Sequence, residues 1–191
     1  MRDICFVTGN QNKIIEVKKL IKHFKLISTK DLNFYDEIPE TENTIKGNAF
    51  IKSSFIYNKF NINCFSDDSG LFINALGGEP GVRSARYASE IPDTEKNINL
   101  VLKKLKGEKD RSASFESCIC LIIDGKTSYF KGSVKGKITY KRLGSRGFGY
   151  DPIFIPEGFE RSFAQMSLED KNKISHRSIA TKKLVNFLNQ K

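Results

Sequence analysis

Asp67 and Asp68 stand side by side after the apolar residues Cys64-Phe65 and before Ser69-Gly70. Adjacent carboxylates repel each other unless a cation or a proton sits between them, so the pair points to a hard, oxygen-seeking metal such as magnesium. The run into Phe65 reads as a short buried strand, and the acidic pair as its exit, where the chain turns at Ser69-Gly70. A solvated turn in which Asp67 caps Gly70 also fits the dipeptide. The neighbouring residues favour chemistry: Gly77-Gly78-Glu79-Pro80-Gly81, then Arg83 and Arg86, offers backbone amides and cations to an anion.

Other stretches carry suitable groups. Thr8-Gly9-Asn10-Gln11-Asn12-Lys13 lies between an apolar run and a helical period. Free amides at a helix start favour phosphate, and Lys13 adds a full charge there. The spacing is not that of a Walker A loop, and taken alone the segment also reads as a plain N-cap. In Gly147-Phe148-Gly149-Tyr150-Asp151, glycines that permit close backbone approach alternate with aromatics able to stack on a base. Lys171, His176 and Arg177 gather donors where an anion or a carbonyl oxygen would find partners. Asp31, Asp36, Glu37, Glu40 and Glu42 form an acidic loop that invites a cation. No Ser-His-Asp or Cys-His arrangement is evident, so direct attack by water is preferred to a covalent intermediate.

These groups need a frame. Hydrophobic periodicity predicts a strand over 4–7, a helix with Ile14, Val17, Leu20, Ile21 and Phe24 on its apolar face, and a strand over 26–28. A helix over 44–60, capped by Thr41 or Asn43, would carry Lys46 and Lys52 on its outer face. A helix over 94–105 ends at Gly107. Strands over 112–123 and 127–134 flank the turn Asp124-Gly125-Lys126, a further strand covers 137–140, and Ser175 caps a C-terminal helix. Strand, helix and strand followed by a hairpin predicts an α/β fold: a mixed sheet with helices packed on it.

A chain of 191 residues with 39% apolar composition buries one sizeable core, and no Pro/Gly/Ser-rich linker divides it, so one domain spanning 1–191 is expected. The lack of a membrane-length apolar run or a signal-like N-terminus implies a cytoplasmic protein without a membrane partner. Cys5, Cys64, Cys118 and Cys120 lie inside apolar runs without a Cys-x-x-Cys pair, which predicts buried reduced thiols. The net charge of +10 suits an anionic partner, but its lysines are scattered and not gathered into an arm, so no dedicated nucleic-acid platform is expected.

Taken together, four blocks resemble the inosine-triphosphate pyrophosphatase family: Thr8-Gly9-Asn10-x-x-Lys13; Asp67 to Leu71 with Ala75 to Tyr87; Gly147 to Phe154; and Met166-Ser167 with Lys171-Asn172-x-x-Ser175-His176-Arg177. They fall in the family's order and cover nearly the whole chain. The resemblance implies an elongated mixed β-sheet with flanking helices, two lobes around a central cleft, as in the Maf and inosine-triphosphatase folds. It also implies a homodimer and magnesium-dependent hydrolysis of ITP, dITP and XTP to the monophosphate and pyrophosphate. Thr8, Gly9, Asn10, Gln11, Asn12 and Lys13 would hold phosphates. Asp68 would be proton acceptor and metal ligand, Glu40 a second metal-associated carboxylate, and Ser69 a substrate contact. Phe148, Gly149, Tyr150, Asp151, Lys171, His176 and Arg177 would hold the base and sugar-phosphate. One position departs: the family carries glutamate before Asn48-Ala49, where this chain has Gly47. The alternatives are a Maf-like pyrophosphatase of other nucleotides and a basic nucleic-acid-binding protein.

Overall fold

The computed structural model describes residues 2–21 and 24–190. Strands β1 (Arg2–Val7), β2 (Phe24–Ser28), β3 (Cys64–Ile73), β4 (Pro80–Gly81), β5 (Ser112–Ile123), β6 (Lys126–Ile138) and β7 (Phe154–Pro156) form one sheet of order β2-β1-β3-β5-β6-β7, with β4 beside β3. Helices α1 (Gln11–Lys18), α2 (Ile45–Phe60), α3 (Thr94–Lys104), α4 (Leu168–Ile174) and α5 (His176–Leu188) complete the α/β fold. The sheet is mixed, as expected: β1 runs parallel to β2 and β3, whereas β4 pairs antiparallel with β3 and β7 with β6.

Two compact units divide the chain. The first comprises Met1–Asp68, Ser117–Gly132 and Arg177–Lys191. In it β1 is buried on both faces, because alternate side chains leave a strand in opposite directions. Ile4 and Phe6 pack with Val17 of α1 and Leu184 of α5, while Cys5 and Val7 pack with Ile56 of α2. Phe6 stacks on its register partner Phe65, centroids 4.6 Å apart. All four cysteines are free and buried.

The second unit comprises Ser69–Glu116 and Ser133–His176. Ile98 and Val101 of α3, with Leu105 at its C-cap, meet Leu71 and Ile73 of β3, and Phe115, Phe154 and Phe163 fill the same core. Arg111 is buried there without a carboxylate. Its guanidinium donates to the carbonyls of Leu105, Ile138 and Thr139, which ties the end of α3 to β5 and β6.

Several expectations are corrected. The acidic pair is not at a strand exit: β3 runs through Asp67-Asp68-Ser69-Gly70 to Ile73, since the carboxylates are compensated inside the fold and Leu71 to Ile73 prolong the apolar run. Helix α1 stops at Lys18, and Phe24 opens β2 instead. Thr44, not Thr41 or Asn43, caps α2, its hydroxyl accepting from the Gly47 amide. Lys52 is buried, not on the outer face of α2. Of the strand expected over 137–140, Lys137 and Ile138 are the end of β6, and Thr139 and Tyr140 lie beyond it. Ser175 stands in extended conformation immediately before α5, the position expected of its cap; the difference is the short helix α4 that precedes it.

Candidate active site

In the first unit the acidic pair is separated by the pleat of β3. Asp67 faces α1 and α5; Asp68 faces α2. Asp67 Oδ2 lies 2.7 Å from Arg177 Nε and 3.1 Å from Lys13 Nζ, and Oδ1 accepts a hydrogen bond from Ser117 of β5. Arg177 in turn pairs with Glu16 of α1 at 2.5 Å. Burial alone would raise the Asp67 pKa, but the charges of Lys13 and Arg177, with the hydrogen bonds from Arg177 and Ser117, hold it well below the usual carboxylate range. Asp67 is therefore a fixed anion, saturated by its neighbours.

Asp68 is different. Its Oδ1 accepts from Lys52 Nζ at 3.1 Å, while Oδ2 is buried with no hydrogen-bond partner. Burial raises its pKa, against the pull of Lys52 and Lys13. Of the two carboxylates, Asp68 is the one able to take a proton. Lys52 Nζ also donates to Glu40 at 2.5 Å and to the Asp67 carbonyl at 3.0 Å, a carbonyl that Lys13 Nζ reaches at the same distance. Burial works against the Lys52 ammonium, yet Asp68 and Glu40 together raise its pKa.

Glu40 and Asp68, which the resemblance assigns to a metal, are thus brought to one ammonium. Among the described residues no three His, Cys, Asp or Glu side chains converge. The two carboxylates nevertheless suit magnesium: the donors are oxygens, one buried oxygen lacks any donor, and this ion commonly uses one or two carboxylates alongside waters and substrate phosphate. The segment from Thr8 to Lys13 is folded as an N-cap, Thr8 Oγ1 accepting from Asn10 N and the Asn10 side chain from the amides of Asn12 and Lys13. Gly9, Asn10, Gln11 and Asn12 are exposed.

In the second unit the base-holding candidates form a tight group. Lys171 Nζ lies 2.6 Å from Asp151 Oδ2, both residues buried, and sits over the Phe148 ring at 4.9 Å and the Phe163 ring at 5.5 Å. The same Asp151 oxygen accepts from the Phe148 amide at 2.8 Å. Gly147, at φ +74°, makes this possible, because a Cβ there would collide with the Asp151 carboxylate. Tyr150 is buried, its hydroxyl donating to the Ser84 carbonyl at 2.9 Å. His176 stacks on Phe115, centroids 4.7 Å apart and planes within 8°. Ser69 and Gly149 are half-buried.

The described residues bring Asp68, Glu40 and Lys13 together around Lys52, and separately Phe148, Asp151 and Lys171; Arg177 joins the first set through Asp67. Sequence reasoning missed Lys52, Glu16, Ser117 and Phe115. Lys52 lies with Ala49, Ser53 and Ile56 on the buried face of α2, but Lys52 and Ser53 are polar, so hydrophobic periodicity in the sequence passes over that face.

The Ham1 family profile matches residues 4–187. The chain belongs to the Ham1 family. It is 45% identical over 188 residues to a protein of Christiangramia forsetii named dITP/XTP pyrophosphatase, covering 98% of this chain and 99% of that one. A protein of the same name from Flavobacterium johnsoniae is 44% identical over 186 residues, 97% of each chain. The solved structure of the Staphylococcus aureus Ham1 protein is similar with a TM-score of 0.91 at 39% identity, covering 99% of each chain. The expected resemblance and mixed α/β fold are borne out.

Proposed function

We infer that this Ham1-family chain is a nucleoside triphosphate pyrophosphatase, one domain over 1–191, that hydrolyses ITP, dITP and XTP to the monophosphate and pyrophosphate. The observation that carries this reading is the asymmetry of the acidic pair: Asp67 is locked as an anion among three donors, while Asp68 keeps a buried oxygen without one. Such a group can serve as a base. Asp68 takes a proton from the attacking water as its oxygen adds to the α-phosphorus, and the bond to the bridging oxygen of the β-phosphate breaks, pyrophosphate leaving with the electron pair. Lys13, and the exposed loop beginning at Thr8, supply positive charge and amides for the phosphates. Glu40 and Asp68 would hold magnesium, which when bound neutralises charge on the phosphate oxygens.

Phe148 and the Asp151–Lys171 pair, with His176, serve the base. Donors directed at a 6-keto oxygen meet an amino group in adenine, at a cost of about 1–3 kcal/mol per unpaired group. ITP is therefore expected to exceed ATP in kcat/KM. Pairing of two copies of the chain and a cytoplasmic setting belong to the same proposal, on the strength of the resemblance. Among the described residues no helix is long and apolar enough to cross a membrane. A nucleic-acid role is not included: Lys52, Lys171, Arg111 and Arg177 spend their charge on internal partners. Pyrophosphate release from ITP, XTP, dITP, GTP, ATP and dTTP, with and without magnesium, is the test. Release from ITP no faster than from ATP would overturn it.

A further inference from the structure

Gly47 is the third residue of α2, in ordinary helical conformation, so its backbone does not require glycine. Its surroundings do. A Cβ on Gly47 would lie 2.7 Å from both Cβ and Cγ of Glu42 and 3.0 Å from its Oε2. The Glu42 side chain thus lies flat against the first turn of α2, which has no acidic residue of its own. The Glu42 amide also donates to Oδ1 of the buried Asn48 at 2.9 Å. Two residues upstream, Glu40 makes its 2.5 Å contact with Lys52, one further turn along the same helix.

We propose that Glu42 and Gly47 are a positioning pair: the missing Cβ lets the loop dock on α2 through Glu42, and that docking places the Glu40 carboxylate beside Lys52 and Asp68. The chain thereby keeps a carboxylate against this turn although the helix position itself holds glycine. The clash expected on enlarging Gly47 involves Glu42 Cβ, an atom fixed to the backbone, so a rotamer change cannot relieve it and the loop must move. Helix propensity runs the opposite way, since alanine is the better helix former. The proposal rests on the reading of Glu40 and Asp68 as metal-holding residues.

The experiment compares the unsubstituted protein, Gly47→Ala, Glu42→Gly and the double variant Glu42→Gly/Gly47→Ala. Manganese binding to nucleotide-free protein is measured by electron paramagnetic resonance, with Tm and the magnesium concentration for half-maximal ITP hydrolysis alongside. Gly47→Ala is expected to weaken manganese binding and raise the magnesium requirement by about 10- to 100-fold, the usual cost of disturbing groups behind a metal ligand. Its Tm should hold. The double variant, with the obstruction removed, should recover most of the affinity. Unchanged manganese affinity in Gly47→Ala, a loss that Glu42→Gly does not relieve, or a change confined to Tm would each overturn the proposal. So would failure of the unsubstituted protein to bind manganese. A protein that binds manganese with this pattern but does not hydrolyse ITP supports the pair and overturns the proposed substrate instead.

Discussion

The two units treat charge in opposite ways. In the first, two sets of ion pairs, Glu16–Arg177–Asp67–Lys13 and Glu40–Lys52–Asp68, meet at the Asp67 carbonyl of β3, to which Lys13 and Lys52 both donate. In the second, the buried pair Lys171–Asp151 sits among the rings of Phe148 and Phe163, and the buried Arg111 donates to three carbonyls and lies over the Tyr140 ring. Desolvating so many charges is costly unless each is compensated, and here one oxygen, Asp68 Oδ2, is not. On the proposed function, reactivity would belong to the first unit and recognition of the base to the second. Substitutions in the first should alter turnover whatever the base; those in the second should alter affinity for the base and leave turnover nearly intact.

The largest effect is expected at Asp68. Asp68→Asn preserves shape and removes the proton acceptor, so kcat for ITP should fall by about 10²- to 10⁴-fold or more. The sign for stability is the unusual one. A carboxylate whose pKa is raised on folding binds its proton more tightly folded than unfolded, so stability falls as pH rises through that interval. Tm at pH 7 should accordingly be unchanged or higher in the variant. A folded Asp68→Asn protein with near-normal kcat would remove the distinction between the two carboxylates.

Asp67→Asn is expected to act chiefly on the fold. Lys13 and Arg177 would lose their common anion inside the protein, a type of change that costs about 3–5 kcal/mol. Because the Asp67 pKa is depressed by folding, its contribution is present above the unfolded value of about 4 and is lost as pH falls below it. Melting curves from pH 7 down to pH 3 should show the gap between the two proteins narrowing at the acid end. A gap that stays constant with pH would mean that the pairing of charges is not what Asp67 contributes.

The contrast between the units was only partly legible in the sequence. The mixed sheet, the hairpin around Asp124-Gly125 and most helices follow from periodicity and turn chemistry, both local. The acidic pair was recognisable as special, but its place in mid-strand was not, since local rules assign two adjacent aspartates to a turn. What overrides them is tertiary: Arg177 lies 110 residues from Asp67, and Ser117 lies 50 away. Lys52 was misplaced because residue type is a poor guide to the faces of α2: Phe50 and Phe55 are exposed, at 42% and 41%, whereas Lys52 is buried. The Phe115–His176 stack joins two elements that share no local signal.

The smallest effect is expected at Phe148, and it probes the second unit directly. Its ring is half-buried and carries the Lys171 ammonium on one face, so truncation removes a surface on which a base can stack without opening a cavity in the core. Stacking of a base on an aromatic side chain is worth about 1–3 kcal/mol and is tolerant of base identity. For Phe148→Ala, KM should rise by roughly tenfold for ITP and by a similar factor for a poor substrate such as ATP, toward the lower end of that range. The Asp151–Lys171 pair and the Phe148 amide contact to Asp151 involve no atom of the ring, so the turn itself should persist and Tm should change little. Since the cluster around Asp68 lies wholly in the other unit, kcat and the magnesium requirement should be unaltered. Steady-state kinetics at saturating magnesium decides the matter: a fall in kcat at constant KM would show that the ring serves the chemical step, and the division of labour between the units would not hold.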